Sequence, residues 1–216
     1  MEKAIFNLMQ KALGHFAGPD FRNEVQFAKG EFFAPMSVPD DTLPSFEYRM
    51  QQFYDWYFFT RPLRGFTQSP LEALFMTREL RFTPEETALI EKLRQHRHSL
   101  FEFLKRKGES LVLKDLLKNE KIIIESPNFS VGFEPGAIFE TRLIPIDKIW
   151  IFARGFCFHP LEARKYILSE VKRHRRDPDL DRDELMLDLF KKSLRTEQYK
   201  HVPLEKIYSA EGVGKS

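Results

Sequence analysis

Few residues in this chain of 216 stand at spacings that chemistry requires. Asp115 and Glu120 flank a turn in LKDLLKNEK, and paired carboxylates can divide acid and base roles. Lys114, Lys118 and Lys121 alternate with them, so a solvated hairpin is the simpler account. Cys157 and His159 alternate onto one face of a strand, the placement of a nucleophile and its base. A free cysteine more often packs as a small hydrophobe. His96 and His98 fall at a helix end, where a spacing of two points them to different faces and denies them a common metal. The dense basic run is Lys172-Arg173-His174-Arg175-Arg176. With Arg164 and Lys165 it forms a basic helix end that can contact phosphates. The acids that follow, Asp177, Asp179, Asp181, Asp183 and Glu184, are placed to neutralise it. Cations at a helix C-terminus also offset the helix dipole.

Composition excludes more than it assigns. The formal net charge is +2, so no global field draws in nucleic acid or acidic membrane. The single cysteine excludes an internal disulfide and any multi-cysteine zinc site within the chain. The first residues, MEKAIFNLMQKALGHFAG, lack the apolar core of a signal peptide. No apolar run approaches the roughly 20 residues that span a bilayer. A cytoplasmic protein without metal or cofactor is the expectation. Phenylalanine is abundant, with 22 copies against two Trp and six Tyr. With no polar handle, most of them belong in the core, and Trp56 and Trp150 are expected to be buried as well.

The elements that must position these residues follow from periodicity and punctuation. Residues 2–16 carry Ala4, Ile5, Leu8, Met9, Ala12 and Leu13 on one stripe, the spacing of a helix. Residues 17–44 hold Pro19, Pro35, Pro39 and Pro44 and read as an irregular connector. A helix follows over 45–61, opened by Ser45 without a full capping box, then a short helix from Ser69-Pro70. Thr83-Pro84-Glu85-Glu86 is a complete start signal: cap, first-turn proline and reciprocal glutamate. Strands are expected near 99–106, 110–115, 120–126, 137–144 and 149–158, with turns at Gly108, Lys118-Asn119 and Asp147-Lys148. Pro160 opens a helix to Arg176, and Asp181 or Asp183 caps another to about Arg195. A last turn lies around Leu204–Tyr208.

The fold class is therefore α+β: a helical N-terminal part over 1–98, a small antiparallel five-stranded SH3- or OB-like β module over 99–159, and C-terminal helices over 160–209 packed on it. Residues 210–216 read as a frayed tail.

Several stretches carry a resemblance. They are DWYFFTR (Asp55–Arg61), SPLEALF (Ser69–Phe75), SLFEF (Ser99–Phe103), LKDLLKNEKIIIES (Leu113–Ser126), PGAIFETRLIPID (Pro135–Asp147) and KIWIFARGFCFHP (Lys148–Pro160). In order and spacing they resemble a poorly characterised bacterial family. Its members place a helical W-F segment before a small β module of DLLxxE type. Some of them carry a cysteine-rich zinc motif like that at the SecA C-terminus. The resemblance spans residues 45–175 and implies the architecture. It supplies no catalytic position, and with Cys157 alone the zinc motif does not carry over. Asn128-Phe129-Ser130-Val131-Gly132 also resembles half of the PilZ cyclic-dinucleotide pattern. It is one residue out of register and lacks the upstream R-x-x-x-R, so turn chemistry accounts for it.

Three functions are compatible with these residues. The leading expectation is a non-enzymatic adaptor or binding module acting through a protein partner. The alternative is an RNA- or DNA-binding protein that uses the β module and the edge formed by Arg164, Lys165, Lys172, Arg173, Arg175 and Arg176. The third is an enzyme whose site residues are dispersed in sequence.

Overall fold

A computed structural model describes residues 1–34, 36–42, 45–129 and 133–209. Five helices come first: α1 (Glu2–Phe16), α2 (Arg22–Phe33), α3 (Phe46–Phe59), α4 (Pro70–Ala73) and α5 (Pro84–Arg94). The strands are β1 (Arg97–Lys107), β2 (Ser110–Asp115), β3 (Glu120–Ile124), β4 (Ile138–Ile146), β5 (Ile149–Phe152) and β6 (Cys157–Phe158). Helices α6 (Arg164–Arg176), α7 (Arg182–Gln198) and α8 (Leu204–Ile207) complete the order. The strands form one antiparallel, barrel-like sheet in the order β3-β2-β1-β4-β5, with β6 beside β4. The fold is α+β. The chain divides into two compact units, Met1–Arg97 with Arg142–Phe156, and His98–Thr141 with Cys157–Ser216.

In the first unit, α1 buries Ile5, Leu8, Met9, Ala12 and Phe16, while Ala4 is exposed. Residues 17–44 are not an irregular connector throughout, because α2 occupies Arg22–Phe33. Pro19 opens the short turn before the helix and Pro39 lies beyond its end, while Pro35 and Pro44 are outside the described residues. Val25, Ala28, Phe32 and Phe33 give α2 its buried stripe. The Phe32 ring lies 4.9 Å from Trp56 and 5.7 Å from Phe53 on α3. Helix α3 is buried nearly all round, as a central helix must be. On it, the Tyr57 hydroxyl donates to the Phe16 carbonyl at 2.8 Å. Burial first, and then the charge of Glu24, push the Tyr57 hydroxyl pKa well above its usual value. Helix α5 opens with the complete capping box formed by Thr83 and Glu86.

Trp56 is buried, at 9% exposure. Trp150 is only half-buried. It sits on β5, the last strand of the sheet order, opposite Pro145. The Arg97 guanidinium lies 5.4 Å from its ring. The buried residues of β5 are Ile151 and Phe152.

The strand expected over 149–158 is broken into β5 and β6. Between them the Gly155 N–H donates to Asp55 Oδ2 of α3 at 2.6 Å instead of to a strand neighbour. A Cβ on Gly155 would stand 2.8 Å from that oxygen, so the approach requires glycine.

In the second unit, β1, β2 and β3 form a meander. Its turns place Gly108 at φ 59° and Asn119 at φ 58°, a region that glycine and asparagine tolerate best. Register follows from alternation. One face carries Phe101, Phe103, Leu113 and Ile122, and the opposite face carries Leu100 and Leu116. Leu100, Leu116 and Ile138 pack with Ile167 and Val171 of α6 and with Leu185, Met186 and Leu189 of α7. Ile207 and Tyr208 join this core. They are held there by the buried Lys192, which donates to the carbonyls of Ser209 at 3.0 Å and Ile207 at 3.4 Å.

Candidate nucleic-acid interface

Helix α6 presents Leu168, Val171, Lys172 and Arg175 at i, i+3, i+4 and i+7, which places them on one face. That face meets the β2–β3 hairpin across a groove of about 430 Å³. The aliphatic floor is Leu116, Leu168 and Val171. Leu116 and Val171 are each 3% exposed, being anchored in the core, while Leu168 is half-buried. Lys172, Arg175 and Arg176 stand on the helix wall, with Lys114 and Asn119 on the sheet wall.

The charges sort into two groups. Arg164 is paired with Glu102 at 3.0 Å and also donates to the Gly136 carbonyl at 3.1 Å. Arg173 is paired with Glu170 at 2.5 Å. Lys165 is exposed and does not line the groove. Lys172, Arg175, Arg176 and Lys114 have no carboxylate in ion-pair contact among the described residues. Of the six cations expected to form one edge, the fold therefore brings Lys172, Arg175 and Arg176 together. It engages Arg164 and Arg173 elsewhere and leaves Lys165 further up the helix.

Three of the acids expected to neutralise the run have other work. Asp177 accepts the Asp179 N–H at 3.1 Å. Asp181 caps α7 through the N–H groups of Asp183 at 2.7 Å and Glu184 at 3.3 Å. Asp183 lies 3.6 Å from His98 Nδ1, whose Nε2 is 2.7 Å from Glu140.

Sequence reasoning missed the sheet's share of the groove. Lys114 stands opposite Lys121 in the β2–β3 register and opposite Glu102 in the β1–β2 register. Glu102 is drawn to Arg164, so the two lysines face each other as like charges, an arrangement that costs stability. The signal was present in LKDLLKNEK: a turn at Lys118-Asn119 pairs position 114 with position 121.

The other constellations resolve into structure. Asp115 is fully buried and accepts from Ser99 Oγ at 2.6 Å and the Lys118 N–H at 3.0 Å, so it holds the turn, while Glu120 is exposed. Cys157 is buried at 3% exposure. His159 Nδ1 is engaged with the Tyr208 hydroxyl at 3.1 Å. His96 lies over the Phe59 ring at 4.5 Å. No group of three His, Cys, Asp or Glu side chains could hold a metal among the described residues. Ser130, Val131 and Gly132 of the PilZ-like stretch lie outside the described residues.

The motif residues of DWYFFTR are scaffold. Asp55 takes the Gly155 N–H. Thr60 Oγ accepts from Arg142 at 2.6 Å. Arg61 is paired with Glu24 at 2.5 Å and Glu31 at 2.9 Å.

No curated protein and no solved structure matches the chain. Residues 36–192, which include both walls of the groove, match a protein family. The chain thus belongs to that family, described as a family of unknown function (DUF7986).

Proposed function

We propose that this protein is a non-enzymatic nucleic-acid-binding module that holds phosphates in the groove between the β2–β3 hairpin and α6. The observation that carries this reading is the set of four groove cations, Lys114, Lys172, Arg175 and Arg176, without carboxylate partners among the described residues. Cations that serve folding are normally paired where they pack; cations left open on two facing walls are set to meet anions brought from outside. The groove acts locally, since the whole chain carries only +2. The groove residues contact phosphate and supply no reacting group, so the module positions its ligand and does not transform it.

Among the described residues, no helix is long and apolar enough to cross a membrane, and the cytoplasm is the compartment we assign. The resemblance to bacterial proteins with a W-F segment and a DLLxxE-type β module adds no catalytic residue to this reading. A protein partner is the second reading. Its support lies in the first unit, where Phe66, Phe75 and Met76 are 65%, 47% and 67% exposed, as side chains at an interaction surface are.

Fluorescence anisotropy with a labelled mixed-sequence oligonucleotide tests the proposal. Binding is expected at low salt, weakening steeply as salt rises. It should be lost in the Lys172→Ser/Arg175→Ser/Arg176→Ser variant with the melting temperature preserved. Absence of binding at low salt removes the nucleic-acid reading and leaves the protein partner.

A further inference from the structure

We infer that the strand held in this groove is single. The inference rests on the nucleic-acid reading and specifies its substrate class. The groove has cations on both walls and an aliphatic floor between them, formed by Leu116, Leu168 and Val171. A duplex offers phosphates on its outside and keeps its base faces stacked on one another, so it has no base face to set against that floor. An unpaired strand offers both: a charged backbone for the walls, and sugar and base faces for the floor. A volume of about 430 Å³ is of the size that encloses a small ligand, and matches a nucleotide-sized segment rather than the width of a duplex.

The side chains also state what the groove does not read. No aromatic residue lines it among the described residues, so it lacks the stacking platform on which single-strand binders usually hold bases. The contacts are phosphate and aliphatic, which makes binding tolerant of sequence. Lys165 continues the same helical stripe seven residues before Lys172, about 10 Å along the α6 axis. It is exposed and has no ion-pair partner among the described residues. A strand emerging from the groove along α6 meets this cation next.

The test compares one oligonucleotide of about 12 nucleotides, within the site size of single-strand binders, with its blunt duplex at the same salt. The single strand should bind about tenfold tighter, the ratio expected when about 55 Å² of sugar and base surface is buried on the aliphatic floor. Leu168→Ser should lower single-strand affinity several-fold and leave duplex affinity unchanged. Leu168 is half-buried and packs against the core of the second unit, so binding is read well below the melting temperature of the variant, and the unchanged duplex affinity is the control. Equal or tighter duplex binding that stays salt-sensitive and dependent on Arg175 overturns this inference while the nucleic-acid reading stands. Unchanged single-strand affinity in Leu168→Ser overturns it as well. No binding of either form at low salt overturns both.

Discussion

Arg61 in the first unit and Arg175 in the second carry the same guanidinium into opposite surroundings. Arg61 is 5% exposed and donates to Glu24, to Glu31 and to the Pro62 carbonyl. Arg142 is 3% exposed and donates to Thr60 Oγ, and Arg49, at 2%, donates to Gln52 Oε1 at 2.9 Å. Removing a cation from water requires that its hydrogen bonds be replaced, and at Arg61 two carboxylates and a carbonyl replace them. Arg175, Arg176 and Lys172 are exposed along one edge of α6, with Lys114 facing them across the groove. Folding gains little from such residues, and the Lys114–Lys121 pairing works against it. The contrast separates arginines that position the backbone from arginines available to a ligand.

The comparison can be broken by stability measurements that run from the buried unit to the groove. Arg61→Ala leaves Glu24 and Glu31 without their main partner and should cost about 3–5 kcal/mol, the range for breaking a buried pair. A urea titration reads it, and a loss below about 1 kcal/mol would place Arg61 among ordinary surface pairs. Gly155→Ala drives a Cβ to 2.8 Å from Asp55 Oδ2 and 3.1 Å from Asp55 Cγ. It should cost about 1–3 kcal/mol, as overpacking does; an unchanged midpoint would mean that α3 yields freely.

Thr83→Ala removes the side-chain oxygen that accepts the Glu86 N–H at 3.2 Å and should cost about 1 kcal/mol. The same cap predicts a pH effect. Lys11, at 2.8 Å, and then the Thr83 N–H hold the Glu86 carboxyl below its usual range. That stabilisation is present in full above the ordinary carboxylate value and is lost as pH falls through the lowered one. Glu86→Gln should therefore flatten the acid limb of the stability profile, and an unaltered limb would contradict the assignment. Least affected should be Lys172→Ser/Arg175→Ser/Arg176→Ser, with stability within about 0.5 kcal/mol of the parent protein. A larger loss, read in the same titration, would make those cations structural.

Local signals were legible in the sequence wherever one segment sufficed. The capping box at Thr83, the turns at Gly108 and Asn119 and the strand alternation all depend on neighbours close in the chain, and the fold class followed from them. The misses depend on distance. Helix α2 was hidden because prolines at both sides read as punctuation, although the helix between them is held by Phe32 and Phe33 packing on Phe53 of α3. The break between β5 and β6 is imposed by a carboxylate 100 residues earlier in the chain. Trp150 is less buried than its apolar neighbours suggested because β5 ends the strand order.

The basic run itself was plain in the sequence; the division within it was not. That division is decided by Glu102 and Glu170, which take Arg164 and Arg173. It is decided equally by Asp177 and Asp181, which turn toward backbone N–H groups and leave the run open.

Two double variants of equal charge change test this division most directly. Lys172→Gln/Arg175→Gln removes two groove cations. Arg164→Gln/Arg173→Gln removes the two paired cations of the same helix. The measurement is the slope of log binding constant against log salt for one single-stranded oligonucleotide. The groove variant should lose about 1.4 from the slope, two contacts at roughly 0.7 each, and the paired variant should keep the parent slope. Equal losses in the two variants would show that binding follows net charge, and would contradict a groove built from the cations that folding leaves open.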